Sequence, residues 1–187
     1  EQGLAHNPRD TALLVRLSDI ALAQGHANAA LDYAGRALYV DPLLLPALRA
    51  QTNAYLALAR GVSGSSQAAR LEYYGLAALS AQTLLLHYPG DAGGYLALAE
   101  ARLGEGNLDL AEAALNRARV RVEVEWLLHL TATRAVPGAP ALTDDDAAHL
   151  RGVVERFGEA ELAELAAIEA ETRHDVKAGD YFLQRRL

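Results

Sequence analysis

Two helical stripes in this chain run into a proline-marked stop, and that recurrence limits the folds available to it more than any other feature. Residues 30–42 read ALDYAGRALYVDP, and residues 84–91 read LLLHYPGD. Proline lacks an N–H and ends a helix wherever it falls, so one such stop carries little information. Two stops, each closing a similar pair of helical segments, point to a repeated unit. The composition agrees. Ala and Leu dominate between the 6 prolines and 15 glycines, and β-branched runs are scarce, so the chain is expected to be all-α.

The first unit is placed at residues 11–44. Leu14, Leu17, Ser18 and Ala21 share one face of its first helix, and Gly25 supplies a left-handed turn. Ala30, Ala34 and Ala37 line the second helix, which Pro42 closes. Small residues at Ser18 and Ala30 let two antiparallel helices approach, while Leu14, Leu17 and Leu38 fill the space beside them. The next unit, residues 45–91, has Leu48, Gln51, Thr52 and Tyr55 in the matching positions. Its register is broken by RGVSGSS at residues 60–66, and a longer second helix is expected over residues 67–87. After Pro89 the pattern resumes with Tyr95, Leu98, Ala99 and Arg102, a turn at residues 104–106, and then Ala111, Leu115 and Ala118. A single insertion accounts for the whole offset between the turn glycines Gly25 and Gly106.

This pattern resembles the tetratricopeptide repeat (TPR), in which a 34-residue helix pair carries large, Leu, small and aromatic positions, then Ala, aromatic, Ala and Pro. The small residues and Pro42 match it, whereas Ala21 and Ala34 stand where an aromatic is usual. The resemblance is strong over residues 11–119 and weak after Val120. It implies an α-α superhelix of stacked antiparallel helix pairs, because one pair cannot bury its apolar face alone. Residues 1–120 are accordingly read as TPR-like: the end of one unit at 1–10, then units at 11–44, 45–91 and 92–120. Residues 121–187 are read as divergent helical repeats or capping helices. Residues 3–10 look like the close of an earlier second helix, and residues 177–187 like a turn opening a later one. A helix pair is expected at residues 122–134 and 144–157, with Trp126 in the large slot. A further acidic helix is expected over residues 155–175, with Leu162, Leu165 and Ile168 on its apolar stripe.

Catalytic signals are sparse. The chain has no Cys, no HExxH, no phosphate loop and no GxSxG. Its 6 His residues include no pair at i, i+4, and the DDD of residues 144–146 fails the calcium-loop spacing, so no metal or cofactor is expected. Thr143 and those aspartates read instead as the capped, dipole-matched start of a helix. His174 and Asp175 in the run RHD are adjacent on an expected helix and so point apart, which argues against a proton relay. Tyr73 and Tyr74 likewise cannot share a face, so one of them should be partly exposed.

A net charge of −7 disfavours nucleic acid, and no apolar run is long enough for membrane insertion. With no Met at position 1 and no leader, the chain reads as processed or as a piece of a larger protein. The TPR resemblance implies that inward positions of first helices bind a protein or peptide. The positions carried over are Val15, Asp19, Leu22, Arg49, Asn53, Leu56, Leu96 and Glu100. Asn53 could pair with a peptide backbone, and Arg49 with a carboxylate or with Asp19 or Glu100 nearby. Val15, Asp19, Ala50, Gly93 and Ala97 stand where chaperone-tail clamps use basic or amide residues, so that specificity is not expected. The expectation is a non-catalytic interaction scaffold holding a peptide or helix on its concave face. The alternative is a regulatory or sensor domain binding a small molecule or signalling peptide. Self-association through open repeat ends is a third possibility.

Overall fold

The computed structural model describes residues 4, 6–62, 66–135, 137–138 and 141–186. The core of the expected insertion at 63–65, parts of the 1–10 and 135–143 segments, and position 187 lie outside them. The described residues form nine helices and no strands, packed in adjacent pairs, as the all-α reading expects. They divide into two compact units, Glu1–Ala111 and Glu112–Leu187.

The first unit holds α1 (Thr11–Ala23), α2 (Ala27–Val40), α3 (Leu45–Gly61), α4 (Gln67–His87) and α5 (Ala92–Gly104). Asp10 starts α1 by accepting the Leu13 N–H at 3.0 Å, which satisfies one of the N–H groups left free at a helix start. Gly25 ends it with φ of 78°. There the N–H of His26 reaches the Ala21 carbonyl at 2.8 Å and that of Gly25 the Leu22 carbonyl at 2.9 Å. Helix α5 is built the same way. Asp91 accepts the Gly94 N–H at 2.6 Å, and Gly106 sits at φ 84°. The N–H of Asn107 donates to the Arg102 carbonyl at 2.9 Å and that of Gly106 to the Leu103 carbonyl at 3.0 Å. Start cap, helix length and stop are thus copied from one helix to the other.

Small residues set the spacing. Ala30, Ala34, Ala37, Ala47, Ala54 and Ala59 are fully buried, so backbones pack closely where larger side chains would hold them apart. The Ser18 hydroxyl donates to the Ala30 carbonyl at 2.8 Å and joins α1 to α2. The hydroxyls of Thr52 and Ser80, 2.8 Å apart, join α3 to α4. Tyr73 and Tyr74 are both half-buried. The Tyr74 ring lies over Gly104, where an added Cβ would meet it at 2.5 Å. Each helix packs on the next in sequence, and the first helices α1, α3 and α5 also touch in order.

The second unit is different in kind. Helix α6 (Leu108–Ala132) begins in the first unit and continues unbroken through Val120, so the expected division at 120/121 falls inside it. It is followed by α7 (Asp144–Glu155), α8 (Glu159–Thr172) and α9 (Asp175–Gln184). All four helices feed one core: Val120, Val124 and Leu128 meet Leu150, Val154, Phe157, Leu165, Ile168, Ala178 and Phe182. Thr143 and Asp146 form a reciprocal cap on α7, as the sequence indicates.

Three expectations for this region are corrected. The helix expected over residues 155–175 breaks before Gly158, because Phe157 turns into the core and the Arg117 guanidinium takes its carbonyl (Nε 2.6 Å). Residues 177–180 are helical and make no turn, since α9 already starts at Asp175. Trp126 fills no packing slot; it is 59% exposed on α6, stacked on His129.

Candidate functional site at the α8–α9 junction

Of the eight positions expected to bind a partner, two have structural roles in the first unit. Leu56 is 2% exposed and packs with Ala77, Ala78, Ala81, Ala97 and Ala101. Arg49 pairs with Asp91 (Nε–Oδ2 2.8 Å), not with Asp19 or Glu100. Asp91 is buried and caps α5, so the guanidinium compensates a carboxylate withdrawn from water. Glu100 is paired with Arg60 at 3.2 Å. Val15 and Leu22 are half-buried, and Asp19, Asn53 and Leu96 are exposed.

The second unit holds a denser grouping, at residues 172–177. Helix α8 ends at Thr172, and Arg173 adopts a left-handed conformation with φ of 51°. A side chain with a Cβ resists that region by about 1–2 kcal/mol, and such strain gathers at binding and catalytic sites. The bend makes His174 the N-cap of α9, its Nδ1 accepting the Lys177 N–H at 3.4 Å. With Nδ1 occupied as an acceptor, the neutral ring carries its proton on Nε2. Asp175 Oδ1 lies 3.6 Å from Nδ1. The Thr172 hydroxyl donates to the His174 carbonyl at 3.1 Å and fixes the turn. From α6, Arg119 reaches the same place, its Nη1 3.4 Å from the Asp175 carbonyl and its Nη2 3.7 Å from Oδ2.

The His–Asp juxtaposition corrects the expectation that these side chains point apart. That expectation assumed one continuous helix, and the left-handed residue between α8 and α9 removes the assumption. The result is an exposed imidazole beside a carboxylate at a helix N-terminus, with the Arg119 guanidinium reaching that carboxylate. The Arg119 guanidinium and the N-terminal end of α9 favour an anionic ligand here.

Comparison with known proteins points to an enzyme. Part of the chain is similar to adenylosuccinate lyase of Escherichia coli strain K12, at 40% identity over 77 residues, which is 41% of this chain and 17% of the relative. Adenylosuccinate lyase of Legionella pneumophila strain Philadelphia 1 is 36% identical over 74 residues, covering 40% and 16%. That of Dictyostelium discoideum is 32% identical over 78 residues, covering 41% and 17%. The chain therefore spans about 17% of the length of the curated relatives it matches. No family model matches, and neither does any solved structure. These relatives overturn the expectation of a non-catalytic scaffold or sensor domain rather than an enzyme.

Proposed function

We propose that the Glu112–Leu187 unit is an adenylosuccinate-lyase-like segment and that residues 172–177, with Arg119, form its substrate-facing part. The similarity to lyases from bacteria and Dictyostelium carries this reading. The 77 matched residues agree in length with this unit, whereas Glu1–Ala111 is longer and built on a different plan. Within the unit, residues 172–177 combine backbone strain and a solvent-facing imidazole, with Arg119 reaching Asp175 from α6. A lyase that works by elimination must remove one proton and deliver another to the leaving atom, and the exposed His174 imidazole is the side chain in this segment suited to such a transfer. Arg119, Arg173 and Lys177 suit the anionic groups that a succinate carries.

For the first unit we propose a TPR-like solenoid. The copied caps and turns of α1 and α5, and the stacking of α1, α3 and α5, support it.

The substrate-facing role is tested on the chain itself by following the imidazole resonances of all six histidines while adenylosuccinate is added. His174 is expected to shift saturably, with His26 and His87 unmoved, and Arg119→Gln is expected to weaken the effect about tenfold. A His174 resonance indifferent to adenylosuccinate, or shifting in parallel with His26 and His87, contradicts the proposal.

A further inference from the structure

A second feature of the Glu112–Leu187 unit lies at the α6–α9 crossing. Glu123 on α6 faces Gly179 on α9 so closely that a Cβ at Gly179 would sit 2.3 Å from Glu123 Oε2. A Cβ there would displace that carboxyl, and Oε2 is buried with no hydrogen-bond partner among the described residues. An unpartnered buried carboxylate oxygen is costly, which marks the group for something other than packing. Beside it opens a cavity of about 320 Å³. Glu123 and Asp180 supply its carboxylates, Trp126 one wall, and Leu127, Leu130 and Leu183 apolar surface. Among the described residues, no basic side chain lines it.

We propose that this cavity binds a small organic cation, an alkylammonium or alkylguanidinium group. Its charged end lies between Glu123 and Asp180 and against the Trp126 face, and its stem lies on the leucines. Each part of the lining answers to one part of such a ligand. Two carboxylates in one lining seek positive charge, an indole face attracts it, and the leucines shield a short hydrocarbon chain. A metal ion would find no use for the leucines or the indole, and a neutral apolar ligand would leave both carboxylates desolvated.

The protonation of Glu123 supports the proposal. Burial, then the nearby Asp180, raise its pKa to about 7 against the opposing effect of Arg119, with Asp175 adding to the rise. Glu123 is thus partly protonated near neutral pH, and a cation that requires the carboxylate binds more tightly as pH rises. His129, stacked on Trp126 at 5.9 Å, is the other titratable group at the indole wall.

Trp126 is the only tryptophan in the chain and reports directly on the cavity. Its fluorescence is to be followed in the full chain during titration with agmatine, with a capped arginine amide, and with 1-butanol as a neutral control. Saturable quenching by agmatine, tightening about tenfold from pH 6 to pH 8, is expected as the competent carboxylate population rises. Glu123→Gln is expected to abolish that pH dependence and, with Asp180→Asn, to weaken binding about tenfold or more. Asp180 is exposed, so its variant keeps the test open if the first folds poorly. Saturation by agmatine indicates a free cation, and saturation by the capped arginine alone a side chain presented to the cavity; both uphold a cation site. Absence of saturation by either cation, equal response to 1-butanol, or unchanged affinity in both variants overturns it.

Discussion

Arg173 and Glu123 show how single residues in the second unit are held away from their preferred states. Arg173 sits at φ 51° with no glycine to ease it. Arg173→Gly is expected to raise stability by about 1 kcal/mol, read as a higher melting temperature, while weakening adenylosuccinate binding. A gain in stability with undiminished binding would detach the strain from function. For Glu123 the sign follows from linkage. Its folded pKa of about 7 lies above the unfolded value, so its neutral form favours folding below about pH 4.5, and that advantage is lost as pH climbs through 7. Glu123→Gln is therefore expected to flatten the pH dependence of melting between pH 5 and 8. Discounted for partial exposure, the gain at pH 8 is about 1–2 kcal/mol. An equal stability change at both ends of that range would contradict the assignment.

Among the helices, α1 and α5 are a matched pair, and their equivalence can be measured. A Cβ at Gly25 or Gly106 meets nothing within 4 Å, so Gly25→Ala and Gly106→Ala each cost only the left-handed backbone, about 1 kcal/mol apiece. Denaturant melts are expected to return the same loss at both sites. The start caps should differ. Asp10→Ala removes a cap worth about 1 kcal/mol, whereas Asp91→Ala also strips Arg49 of its buried partner and is expected to cost 1–2 kcal/mol more. Much of this was legible in the sequence. The proline stops, the glycine turns and the extent of α4 follow from residue types whose backbone limits are strict. Pro8–Asp10 and Pro89–Asp91 carried the same information, and the paired aspartate caps were a signal left unread. The α8–α9 junction was not legible, because an arginine in a left-handed turn looks like any arginine. The break at Phe157 was hidden too, since it depends on Arg117, 40 residues away, taking a carbonyl. The cluster of His174, Asp175 and Arg119 exists only because of that junction, so no fixed spacing announced it.

At the scale of the molecule, the two compact units have separate cores, Leu14 with Ala37 and Ala47 in one and Phe157 with Phe182 in the other. Leu14→Ala and Phe182→Ala are each expected to cost about 3–4 kcal/mol. Hydrogen exchange should show protection lost in α2 and α3 for the first, and in α8 and α9 for the second. Loss across both units in either variant would mean one cooperative core. The lyase-like character proposed for the second unit is tested directly by a segment exchange. The matching 77 residues of the Escherichia coli lyase are replaced by this chain's own, and cleavage of adenylosuccinate is timed. The exchanged enzyme is expected to fold and turn over within about tenfold of the parent, and His174→Gln within it to lower kcat by about 100-fold or more with melting unchanged. A folded exchanged enzyme without activity, or one indifferent to His174→Gln, would contradict the account.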